Sequence, residues 1–174
     1  MKTALALGVL TVAVAAMTHR VAAQTPAPAP AWAVPGEEVV DPYAVSDANA
    51  GATPLADRAV FEAFHGKAGI DRIIDDLVDR SFTDPRTKDI FVAFDRVRIK
   101  RTLSEQVCHV LGGGCAYTGR DMAAAHKDMG LVGSDMNALV ENLQLAMDRE
   151  GVPFGAQNRL LAKLAPMKRE MSTR

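Results

Sequence analysis

The chain has 174 residues, 48% of them hydrophobic and 24% charged, with a formal net charge of −1. A surface this nearly neutral cannot neutralise a phosphate backbone, which argues against nucleic acid as a partner. Two cysteines and four histidines, with no Cys/His grouping at finger spacing, argue against a zinc module.

The chain begins with Met1 and Lys2, followed by a small and apolar run from Ala4 to Ala16. Val21, Ala22 and Ala23 then supply the small residues that suit cleavage before Gln24. This is the pattern of a secretory signal peptide over residues 1–23. The run is too short to span a bilayer comfortably, and no lipidation cysteine follows it. The chain is therefore expected to be exported, to a bacterial periplasm, with no stable membrane insertion after cleavage. Removing the segment takes away Lys2 and Arg20 and no acid, so the remainder is more acidic. Residues 24–36 read QTPAPAPAWAVPG and hold the only tryptophan, Trp32. Pro-Ala alternation favours an extended chain without a core, so residues 24–54 are expected as a disordered linker. The folded domain is expected over residues 55–171, enough for one core.

From Leu55 onward the pattern is helical. Residues 56–64 make a short helix closed by Gly66. Ile70, Ile73, Ile74, Leu77 and Val78 recur at helical spacing, with Asp71, Asp75, Asp76 and Asp79 among the residues opposite. Pro85 disfavours helix at Asp84 and marks the end. Ile90, Phe91 and Phe94 form an apolar corner. Asp95 is an N-cap for a helix whose stripe is Ile99, Leu103, Val107, Val110 and Leu111. Gly112, Gly113 and Gly114 end it. A short helix is expected from Asp121 to Met129, stopped by Gly130. Ser134 is expected to cap the next, with Leu139, Val140, Leu143 and Met147 inward and Gly151 closing it. Pro153 opens the last, with Leu160, Leu161 and Leu164 inward. No run alternates with period two, so strands are not expected.

His19 lies in the leader, His65 at a helix end, and His109 beside Cys108. His126 is set among small residues, with Met122 one turn before it on the same face. A neutral imidazole ligates a metal through one nitrogen while the other is held by a hydrogen bond. A lone histidine more often serves as a surface or core residue, because most metal sites gather several protein ligands. One protein ligand suffices when a porphyrin supplies four more. The glycine run lacks a following Lys-Ser, so it is no phosphate loop. No Gly-x-Ser-x-Gly elbow occurs.

The stretches GKAGIDRIIDDLVDRSFTDPR, LGGGCAYTGRDMAAAHKDMGL and LVENLQLAMDREGVP, with LLAKLAPMK after them, resemble in order and spacing the bacterial truncated haemoglobins of group I. The similarity spans residues 60–167. Its most specific element joins Tyr117, Thr118, Gly119, Met122, His126 and Gly130. The resemblance implies an all-α shortened globin fold, two helices over two, with haem b as cofactor. It implies His126 as the iron ligand, Met122 on the same side of the haem and Phe91 at the haem edge. Ile99, Leu103 and Val107 take the gas-side helix positions, and Leu77 and Val78 the pocket-facing positions of the second helix. Leu131, Met136 and Val140 close the pocket. Tyr117 and Lys100 are placed near the propionates.

The chain departs from the family where oxygen-binding members commonly carry Tyr, here Val78, and Gln, here Leu103. A donor to a polarised oxygen ligand is worth about 1.5–3 kcal/mol. Without one, oxygen is held roughly tenfold or more weakly, while CO and NO suffer less. The side chain of Gln106 is ambiguous in direction. His65 stands where the family commonly has Gly. No second histidine lies on the gas-side stripe, so ferrous iron is expected five-coordinate. The expected function is reversible binding of oxygen, CO or NO, whether for transport, sensing or scavenging. The alternative is a haem enzyme acting on nitric oxide as a dioxygenase, or on small oxidants, with a reductant the sequence does not identify.

The two cysteines stand seven residues apart. That spacing spans about 10.5 Å on a straight helix, beyond the reach of a disulfide, but the glycine run lets the chain fold back. A disulfide and a buried Cys108 with an exposed free Cys115 both remain open at this stage.

Overall fold

A computed structural model describes residues 30–171. The expected leader lies outside the described residues. Four longer helices build the core: α2 (Gly66–Ser81), α4 (Arg96–Val110), α6 (Gly133–Glu150) and α7 (Phe154–Leu164). Shorter ones are α1 (Arg58–Ala63), α3 (Lys88–Phe91), α5 (Met122–Ala125) and α8 (Lys168–Met171), and there is no strand among the described residues. α2 packs on both α4 and α6, and α7 contacts α4 and α1. This is the two-over-two helical arrangement that the resemblance implies.

The stripe on α2 explains its central place. Ile70, Ile73, Ile74, Leu77 and Val78 are all buried in one cluster with Val107, Leu143, Met147 and Leu160. Each such aliphatic stabilises by about 1.5–3 kcal/mol when fully buried. The caps are local and match the sequence at Asp95, whose carboxylate accepts from the backbone N–H of Val97 and Arg98. Gly151 closes α6 in the left-handed conformation, at φ 80°. His65 also sits there, at φ 59°, a conformation that the Gly implied at this position by the resemblance would adopt without strain.

Three local expectations are corrected. Helix α5 has four residues rather than nine: the chain leaves helical geometry at His126, at φ −111°, and turns left-handed at Asp128, at φ 61°. Ser134 lies inside the first turn of α6. The cap is Val132, whose N–H donates to the Asp135 carboxylate at 2.9 Å. Val140 is 37% exposed, since Leu139 takes the inward position and the next residue turns about 100° away.

The described part of the expected linker, residues 30–54, does not hang free. Glu37 forms an ion pair with Arg101, with side chains 2% and 9% exposed respectively. Asp47–Ala50 forms a 3₁₀ turn capped by Ser46, and Ala50 is fully buried. Proline-rich composition signals a missing helix, but it is silent on whether an irregular segment lies against a neighbour.

Cys108 and Cys115 form a disulfide with Cα atoms 5.7 Å apart. Gly113 permits the fold-back: a Cβ there would lie 2.3 Å from the Phe61 ring and 2.7 Å from the Cys108 sulfur. The closed loop is short, so the bond is expected to stabilise by about 2–3 kcal/mol. The Cys108→Ser/Cys115→Ser protein should melt several degrees lower, and reductant should lower only the native protein's melting point.

At the end of α6, Glu150 accepts from Arg72 at 2.5 Å and lies 2.9 Å from His65 Nδ1. Arg72, then His65, hold the Glu150 carboxyl down at about 2. Its folded value is below its unfolded one, so the stabilisation is full above about pH 5 and disappears as pH falls toward 2. The melting difference between native protein and Glu150→Gln should therefore be largest near neutrality and vanish near pH 2.

Candidate cofactor cleft

A cavity of about 380 Å³ opens among α4, the α3–α4 corner, the loop from Tyr117 to Leu131 and the first turns of α6. Its size is in the usual range of small-molecule sites, about 300–1,000 Å³. The structure brings Phe91, Ile99, Leu103, Tyr117, Met122, His126, Leu131 and Met136 to it. Ile99 and Leu103 are only partly buried although they belong to an apolar stripe, because this face of α4 borders the cavity.

His126 is positioned by what precedes it. The Asp121 carboxylate accepts from the Ala124 N–H at 2.8 Å and starts α5. Met122 is buried, and its sulfur accepts from Gln106 Nε2 at 3.3 Å while the same amide donates to the Ala50 carbonyl at 2.9 Å. The Met122 carbonyl is thereby placed 2.8 Å from His126 Nδ1. A carbonyl oxygen only accepts, so Nδ1 carries a proton, and in the neutral ring Nε2 is the nitrogen with the free lone pair. That tautomer is the one a metal-ligating imidazole needs.

Polar groups lie at the border. Arg98 lines the cavity, and its Nε is buried without a hydrogen-bond partner. Arg120 also lines it, with its guanidinium over the Tyr43 ring. The Tyr117 hydroxyl donates to the Arg120 carbonyl at 3.0 Å, and burial pushes the phenol well above its ordinary value. Gly119 makes room for this turn, since a Cβ there would lie 2.2 Å from the Tyr117 oxygen. Apolar walls, one bare imidazole nitrogen and guanidinium groups at the rim fit a flat apolar cofactor with a metal centre and carboxylates, as the expected haem is.

Four residues placed at the pocket by resemblance do not border it. Leu77 and Val78 on α2 and Val107 on α4 are in the core cluster instead, where α2 packs on α4 and α6. Val140 faces outward, and Leu139 borders the cavity instead. Lys100 is turned to Asp75 and Asp79, each 2.9 Å away. Gln106 borders the cavity with its amide engaged at the Met122 end. Val40 and Tyr43 border it as well, and sequence reasoning missed them because nothing periodic marks their segment. Thr102 was missed for another reason: it lies beside the α4 stripe rather than in it.

Residues 59–173 match the family described as "Bacterial-like globin". A group 1 truncated hemoglobin of Tetrahymena thermophila is 30% identical over 93 residues, 53% of this chain and 77% of that protein. One from Mycolicibacterium paratuberculosis is 23% identical over 115 residues, 66% of this chain and 85% of its own length. Among solved structures, truncated hemoglobin from Tetrahymena pyriformis in its Fe(III) form superposes with a TM-score of 0.63 at 23% identity, over 66% of this chain and 98% of that one. The 2/2 hemoglobin from Synechococcus sp. PCC 7002, in the cyanomet state and with covalently attached heme, gives 0.61 at 23% identity, with the same coverage.

Proposed function

Because the chain belongs to the bacterial-like globins, among the group 1 truncated haemoglobins, we propose that its cleft holds haem b through His126 Nε2 and binds diatomic gases reversibly. The observation that carries this reading is the Nδ1 contact of His126 with the Met122 carbonyl at 2.8 Å, on a side chain that borders an apolar cavity. When bound, haem supplies an iron centre able to take a small gas ligand.

The chain's residues do the rest. His126 holds the metal from one side, with its tautomer set by the backbone. Ile99 and Leu103 present alkyl groups from α4, exclude water and offer no hydrogen bond to a gas. Arg98 and Arg120 offer positive charge at the rim, and Phe91 packs at the edge. A gas that needs a donor for tight binding is therefore held weakly, and CO and NO are held comparatively better. The proposal extends to export. The candidate leader carries it, and the Cys108–Cys115 disulfide supports it, since such bonds persist in oxidising compartments. No helix among the described residues is long and apolar enough to cross a membrane.

The test is the visible spectrum of the haemin-loaded protein in its ferric, ferrous and ferrous-CO forms, followed by nitric oxide consumption with a chemical reductant. Reversible ligand spectra without turnover are expected. Sustained nitric oxide consumption would replace the binding reading by the dioxygenase one. No specific spectrum would sink both.

A further inference from the structure

The segment before α1 lies outside the stretch matched to the globin family, which begins at residue 59. It nevertheless runs along the cleft, where Val40 and Tyr43 border it, and is pinned beside α4. On the α4 side, Glu37 receives Arg101 through both carboxylate oxygens, the second at 3.2 Å, and its side chain is 2% exposed. Further along, the Tyr43 hydroxyl donates to the Thr118 carbonyl at 2.9 Å. Arg101 itself also reaches Thr118 and Glu105, so the two anchor points share one residue. Between these anchors, Val40 and Tyr43 border the cavity.

A buried carboxylate is tolerated only when paired and hydrogen-bonded, so Glu37 specifies where this segment docks. An irregular segment with few apolar contacts of its own would otherwise open readily. Its two cavity-facing side chains are apolar or aromatic, which suits the rim of a flat cofactor rather than a water-filled entrance.

We infer that residues 37–43 are a clasp that retains the cofactor: Val40 and Tyr43 contact the haem rim, and Glu37, through Arg101, is the residue that positions them. The inference rests on the haem reading. The clasp is anchored on α4 through Glu37 and on the loop leading to His126 through Tyr43, at the point where Arg101 and Glu105 already join the two.

The experiment measures haemin transfer from the loaded full chain to excess apomyoglobin. Tyr43→Ala and Glu37→Gln should each speed haemin loss on the order of tenfold, the effect of uncovering some tens of Å² of apolar cofactor surface. Tyr43→Phe keeps the ring and should stay within about twofold of native, by the same area argument. The ferrous spectrum should be the same in all of them, because His126 is untouched. A second readout needs no variant: haemin loading of the native chain should slow amide exchange over residues 37–43. Unchanged transfer rates in Tyr43→Ala and Glu37→Gln, or unchanged exchange over 37–43 on loading, would overturn the clasp while leaving haem binding intact. Failure of the native chain to give a specific haem spectrum would instead remove the haem reading, and the clasp with it.

Discussion

His126→Gly is expected to abolish the five-coordinate, histidine-ligated ferrous spectrum of the haem-loaded protein, and added imidazole is expected to restore it. The side chain is half-buried, borders the cavity and is held at Nδ1 by a backbone carbonyl. No grouping of three or more His, Cys, Asp or Glu able to hold a metal occurs among the described residues. Under the proposed function, haem would take its protein ligand from His126 Nε2. Glycine leaves the Met122 carbonyl in place and opens a space the shape of an imidazole. Free imidazole entering it can donate to that carbonyl and present its second nitrogen, as His126 does. Changes to groups that merely orient a metal ligand cost 10–100-fold in metal affinity, so removing the ligand itself should speed haemin loss by at least about 100-fold. An unchanged spectrum in His126→Gly would mean that another residue holds the iron. A lost spectrum that imidazole does not rescue would mean that the substitution disorders the loop rather than deleting a ligand.

Leu103→Gln is expected to slow oxygen release from the ferrous protein by roughly 10–100-fold while changing CO release much less. Leu103 borders the cavity from α4 and carries no donor. A carboxamide N–H at that point would meet a polarised ligand in an apolar setting, where such a bond is worth about 1.5–3 kcal/mol. The contrast between oxygen and CO matters more than either rate alone, because a widened channel would speed both gases. The analogous change at Val78 is a poorer experiment. Val78 is fully buried in the core, so Val78→Tyr must displace packed neighbours at a cost of about 1–3 kcal/mol. Stopped-flow oxygen and CO release from native and Leu103→Gln proteins decides the matter. Equal effects on the two gases would show that Leu103 sets access rather than polarity.

Much of this site is legible residue by residue. Met122 and His126 share a face because four residues make one turn, and the Met122 carbonyl meets the ring nitrogen for the same local reason. The caps at Asp95 and Asp121 follow from short carboxylates standing just before helical runs. Periodicity could not show where one apolar stripe ends as core and begins as cavity wall. On α4, Leu103 borders the cleft and Val107, one turn later, is core. The same-face rule treats the two alike, and only the fold shows that one meets the cleft and the other the core.

The sequence by itself determined the all-helical class, the inward faces of α2 and α4, and the placement of one histidine beside a methionine at helical spacing. These are short-range properties, set by the 3.6-residue repeat and by hydrogen bonds between residues up to four apart. Only the tertiary structure decided that Val78 and Leu77 lie in the core rather than at the cleft, that α5 stops after one turn, that Cys108 meets Cys115 across the glycine run, and that the segment before α1 borders the cavity and is held by Glu37 and Tyr43. Each of these depends on partners brought together by chain reversals or by contacts across tens of residues. Glu37 and Arg101 are 64 residues apart; the fold buries both, and a buried charge requires a partner, which no local pattern records.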